Sequence, residues 1–278
     1  MQISGADFIE SALMAGGGWR LVLGGSFILF FIATAIPGRL DMKLGKPKKE
    51  DMRFFTPSPW AFAIWGPIFL GEMVMAITTA VAPGALSGPA GDKWLMEMAP
   101  SYAAAALHQV LWTGAFREWA LDKLWISASL LTFAAVGLFS AHGTITRALS
   151  VSGHVSTWGY IATALPVSMH FGWMTCAAAL SWNNVINKFG APTKVQLSAA
   201  IATCYGAAAL LGHVSFWGKD PVPALVGAWA LWAVSTGHEV LRGAVDNLSL
   251  DTLNFTAKCT SVMSAIAALA TMIRRFAF

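Results

Sequence analysis

The feature that most restricts this chain is the length of its apolar runs. Eight mostly apolar stretches fall at about 21–37, 60–81, 101–119, 124–142, 158–186, 195–216, 222–240 and 255–273. A helix crosses the ~30 Å hydrocarbon core of a bilayer with about 17–25 residues, and each stretch reaches that length. The runs are continuous. Barrel strands would alternate apolar and polar residues over about ten positions. In a helix every backbone polar group is satisfied within its own segment, as lipid requires. The expectation is an all-α, multi-pass membrane helix bundle.

Composition points the same way. Charged residues make up only 12% of the chain against 56% hydrophobic, whereas soluble domains carry roughly 25% charge. No segment between the runs is long enough for a separate soluble domain. The net charge of +4 is spread over loops, which gives no footing for nucleic acid. Cys176, Cys204 and Cys259 fall inside the runs without metal-ligand spacing and read as packing residues. The N-terminal stretch lacks a positive region ahead of its apolar residues and does not read as a cleaved signal.

Orientation follows from Lys and Arg. Twelve of the 18 lie on the side of the loops after runs one, three, five and seven, with the densest group in RLDMKLGKPKKEDMR. The positive-inside rule puts that side in the cytosol, stroma or matrix and both termini opposite. The basic loop is first an orientation signal; contact with anionic lipid stays open. Small residues gather in AAAAL, CAAAL and AAALLG of the third, fifth and sixth runs, expected seams where helix backbones approach closely.

Thirteen tryptophans are present. Trp19, Trp94, Trp119, Trp158 and Trp217 lie near run ends and read as an interfacial belt. Trp65, Trp112, Trp173 and Trp229 lie inside runs, where each indole N–H needs a partner. Their order is informative. A basic loop is followed by FTPSPWAFAIWGPIFLGE, then HQVLWTGAF in the third run, then LPVSMHFGWMTCAAALSWNNVIN in the fifth.

This succession resembles the translocator protein family, also called tryptophan-rich sensory proteins. The likeness covers roughly residues 20–190 and departs from the family pattern at Gln109, at Ser181, in the Phe62–Trp65 spacing and in the distance from Pro166 to the alanines. It implies a five-helix bundle over 1–190 with about three further membrane helices over 191–278. It also implies an internal cavity that takes a tetrapyrrole first and a sterol or other lipid second. The resemblance places Trp60, Phe62 and Trp65 on one wall, Gln109, Trp112 and Phe116 on another, and His170, Trp173 and Asn183 on the third. Lys46, Lys48 and Lys49 would meet porphyrin propionates at the lip.

Polar groups at membrane depth add to that set because they are costly there. Glu72 is the clearest, either hydrogen-bonded to a neighbouring helix or touching a ligand. His108, His170, His213 and His238 lie in or near four runs. Each is a helix–helix donor or a ligand contact, and histidine also serves haem iron and, by analogy, chlorophyll magnesium. No cofactor is fixed by the residues: haem, porphyrin and chlorophyll are the groups that would suit them. His170 shares a helix face with Trp173 and is the foremost ligand contact, with Glu72 and His108 kept as candidates.

No Ser-His-Asp set, phosphate-binding glycine loop or metalloprotease motif is present, and the expectation is a non-enzyme. Two functions stay open. One is binding, transport or sensing of a planar hydrophobic ligand. The other is an accessory, pigment- or lipid-holding subunit of a large organellar complex such as a photosystem. Either places the chain in an intracellular, chloroplast or mitochondrial membrane, as a homodimer or part of a larger assembly.

Overall fold

The computed structural model describes residues 17–40, 54–81, 92–151, 156–237 and 245–277. These are mostly helical, with no strand among them. Eight long helices follow in order: α1 (Gly18–Ala35), α2 (Trp65–Val81), α3 (Lys93–Ala115), α4 (Leu124–Leu149), α5 (Leu165–Lys188), α6 (Thr193–Gly218), α7 (Val222–Thr236) and α8 (Asn247–Ala277). A 3₁₀ turn, Pro59–Ile64, leads into α2, and another, Glu118–Lys123, leads into α4. Thr157–Gly159 and a π turn, Tyr160–Ala164, lead into α5. The chain is an integral, multi-pass, all-α membrane protein.

Five helical segments are individually long and apolar enough to span a bilayer, among them Gly18–Ala35, Pro59–Val81 and Thr193–Gly218, while α7 is a shorter apolar helix. α3 and α5 fall outside that group for a physical reason. They carry Lys93, Glu97, His108 and Gln109, and His170, Asn183, Asn184 and Asn187. A helix shielded by neighbours tolerates such residues when they find partners inside the bundle. α3 lies between α1 and α4; α5 is the axle, touching α2, α4, α6 and α7.

Contacts at the helix ends show the up-and-down winding. On one face Arg20, starting α1, pairs with Asp92 ahead of α3 at 2.6 Å, and Arg274, ending α8, donates to the Phe216 carbonyl of α6 at 2.7 Å. On the other face Leu40 N–H donates to Phe116 O at 3.0 Å, and Lys188 pairs with Asp122 at 3.0 Å. The basic loop over 41–53, with its lysines, and His238, Glu239 and Arg242 lie outside the described residues.

The AAAAL stretch of α3 and the AAALLG stretch of α6 sit at close helix approaches, the latter with a Cβ on Gly212 falling 3.1 Å from Ala267 Cβ of α8. A Cβ on Gly137 of α4 would lie 3.0 Å from Ala105 Cβ and Ser101 O of α3. A Cβ on Gly172 of α5 would lie 2.9 Å from Val226 Cβ of α7. α7 is also stitched to the stretch ahead of α2: Ser58 N–H donates to Ala233 O at 2.9 Å, the Ser58 and Thr236 hydroxyls are 2.9 Å apart, and Trp229 donates to Ala61 O at 3.1 Å.

Some boundaries differ from the sequence expectation. α8 begins at Asn247 rather than near 255, because the Asp246 carboxylate accepts from Ser249 N–H at 2.8 Å and caps the first turn. α3 stops at Ala115, so Phe116 caps it instead of continuing it. Trp19 and Trp94 are buried core residues and not belt residues. Arg20 lies over the Trp19 ring at 5.0 Å while reaching Asp92, which turns that end inward. Trp119, Trp158 and Trp217 are exposed, as a belt requires.

Candidate functional site

The most polar point inside the bundle is built by three helices. α2 supplies Glu72, α3 Gln109 and α5 His170, all essentially inaccessible to solvent. His170 Nδ1 lies 2.6 Å from Glu72 Oε1, and its Nε2 lies 2.9 Å from Gln109 Oε1. The Gln109 amide nitrogen points to Ala105 O at 3.4 Å, so its oxygen faces the imidazole and Nε2 must donate. One proton then remains between Nδ1 and Oε1. The pair is neutral whichever of the two holds it, as charged imidazolium–carboxylate or as neutral imidazole and acid. Glu72 Oε2 has no hydrogen-bond partner, and the Tyr102 phenol of α3 lies beside the carboxyl.

Aromatic rings enclose the imidazole. Phe30 of α1 stacks on it at 5.8 Å and Trp65 of α2 meets it edge-on at 5.4 Å. Phe69 stacks on Trp65 at 5.0 Å. A flat π face beside an imidazolium is favourable. Both His170 nitrogens are engaged, so this residue does not fit axial ligation of haem iron or chlorophyll magnesium without surrendering a buried hydrogen bond. Among the described residues no group of three or more His, Cys, Asp or Glu comes together as a metal set.

The other expected site residues do not share this chamber. Phe62 meets Trp173 edge-on at 5.3 Å, and the two wall a small open-sided cleft of about 20 Å³ with Phe55, Pro57, Ala230 and Val234. Its lining is wholly apolar. Trp173 is buried at 3% exposure, while Phe62 stands at the lip at 45%. Trp60 is half-exposed and packs on Trp229 at 4.7 Å. Trp112 stacks on Phe116 at 5.4 Å beneath the Arg39 guanidinium. His108 bonds to Ala104 O and rests on Phe133, away from the triad. Asn183 turns to α6, donating to Thr203 Oγ1 at 2.9 Å.

A second buried polar centre carried no mark in the sequence. Asp220, in the turn between α6 and α7, is fully buried. Its Oδ2 accepts from Ser168 at 2.5 Å and lies 3.1 Å from His142 Nε2; its Oδ1 accepts from Tyr160 and from Val222 N–H, each at 3.1 Å. Burial pushes this carboxyl up, but the His142 hydrogen bond and charge, with Ser168 and the Val222 N–H, outweigh it and hold the group below the usual carboxylate range. Lys219-Asp220-Pro221 reads as an ordinary turn, and only the fold brings three distant side chains onto it.

A family model described as TSPO-like protein matches residues 21–273. The chain belongs to the TSPO-like protein family. The match runs through α8, so in this TSPO-like protein the last three helices lie within the family's own region. No curated protein and no solved structure matched the chain.

Proposed function

We propose that this TSPO-like protein binds a planar hydrophobic ligand, a tetrapyrrole before a sterol, in the cleft walled by Phe62 and Trp173. The observation that carries the reading is the edge-on pair itself, 5.3 Å between centroids on an apolar-lined opening between α5, α7 and the start of α2. Such a site offers shape-matched aromatic burial. As it stands the cleft has a volume of only about 20 Å³, far below the ~300–1,000 Å³ of ligand pockets. A ring system therefore enters by swinging Phe62 outward, and that residue is already at the surface.

The role is binding, transport or sensing without covalent chemistry. Ser168 and His142 both give their hydrogen bonds to Asp220 instead of Ser168 giving its own to His142, so they do not form a nucleophile–base relay. The Lys and Arg bias favours the cytosol, stroma or matrix for the face of Arg39 and Lys188, and an organellar membrane is the setting proposed.

The test is quenching of tryptophan fluorescence by protoporphyrin in purified protein, with Trp173→Ala and Trp112→Ala beside wild type. Saturable quenching that Trp173→Ala weakens about tenfold or more supports the site. Unchanged affinity in both variants would show that the cleft is not where the ligand sits.

A further inference from the structure

The indole N–H of Trp112 is buried without an acceptor, an arrangement that calls for an explanation inside a bundle. Its surroundings are built with care. The turn 37–40, which follows α1, is folded over the end of α3 by two contacts, Arg117 Nη1 donating to Pro37 O at 2.8 Å and Leu40 N–H to Phe116 O at 3.0 Å, while Arg117 is itself anchored by Nε donating to Thr113 O at 3.0 Å. Gly38 takes φ +103° there, and a Cβ on it would meet Arg117 Nη1 at 2.6 Å. Only glycine suits that position. The result sets the Arg39 guanidinium 5.5 Å over the Trp112 ring, with Arg39 Nη1 also donating to Thr34 O.

Along α3, Gln109, Trp112 and Phe116 then make a stripe from the triad to this mouth, roughly 10 Å at 1.5 Å per residue. An unaccepted N–H, two guanidinium groups and a stacked aromatic pair together match one chemistry: an oxyanion carried on an apolar body. We infer that the Trp112–Arg39 mouth receives an oxyanion, which accepts from Trp112 Nε1 and pairs with the arginines. Two sources share that chemistry, the carboxylate of an acidic hydrophobic ligand and the phosphate of an anionic lipid. The first source rests on the proposed hydrophobic-ligand reading; the second does not.

The test uses full-length protein in lipid nanodiscs and two variants, Arg39→Gln and Trp112→Phe, the latter keeping a ring on Phe116 but removing the N–H. Protoporphyrin is compared with its dimethyl ester, and retention of phosphatidylglycerol with that of phosphatidylcholine. If the ligand acid is the source, both variants weaken protoporphyrin about tenfold or more and leave the ester unchanged. If lipid is the source, both variants lose the preference for phosphatidylglycerol and keep the ratio of acid to ester. Variants that fold as wild type by circular dichroism and change neither ratio overturn the inference. Should wild type bind neither porphyrin, the proposed function fails and the lipid comparison alone decides: no preference for phosphatidylglycerol overturns the mouth as well.

Discussion

His170 and Glu72 face each other across α5 and α2 with 2.6 Å between Nδ1 and Oε1, and neither is accessible to solvent. Taking two such groups from water costs several kcal/mol each, offset only when each keeps its partner. Removing one side strands the other. Glu72→Leu and His170→Leu should each destabilise the protein by about 3–5 kcal/mol, and the double variant by clearly less than the sum. Thermal unfolding of the four proteins in one detergent measures this; additive losses would mean that the groups are not coupled.

Asp220 gives a pH prediction with a definite sign. Its folded carboxyl is held below the ordinary value, so its contribution to stability is present above the unfolded pKa of about 3.9 and is lost as pH falls through the lower, folded value. Unfolding temperature should drop from pH 5 toward pH 3 more steeply in wild type than in Asp220→Asn. The variant should already be the less stable of the two at pH 7, since it loses the charge that His142, Ser168 and Tyr160 surround.

The helix seams make a contrast among glycines. Gly172→Ala pushes a methyl within 2.9 Å of Val226 Cβ, and a cost of about 1–3 kcal/mol is expected. Gly206→Ala on α6 meets nothing within 4 Å, and should be neutral or stabilising by up to about 1 kcal/mol through helix propensity. Unfolding temperatures moving together for the two would deny the close approach of α5 and α7.

Winding can be read by thiol labelling. With Cys176, Cys204 and Cys259 replaced, a cysteine at Lys188 should react with an impermeant maleimide from one side of sealed vesicles and a cysteine at Lys219 only from the other. Labelling of both from one side would break the alternation of α5 and α6.

Much of the bundle was legible before any coordinates, because run length and continuity answer directly to bilayer thickness. The polar α3 and α5 were still found as helices, since the pair His108-Gln109 and the single His170 are only brief interruptions of their apolar runs. Glu72, Gln109 and His170 could be chosen singly for the same reason: a polar group at membrane depth needs a partner. Which partner each takes was not legible. Asn183 looked equivalent to Gln109 along the chain, yet its side chain reaches Thr203, because the direction of a helix face depends on what packs there. Asp220 was invisible for a different reason. It sits in a turn, where a carboxylate is ordinary, and its partners arrive from 52, 60 and 78 residues away.

The aromatic cleft is the centre of the functional reading, and native mass spectrometry of protein with protoporphyrin addresses it directly. Trp173→Leu should abolish or weaken the one-to-one complex about tenfold or more, while Trp119→Leu, which removes an exposed indole elsewhere, should leave it intact. Equal complex in all three proteins, or equal loss in both variants, would contradict the site.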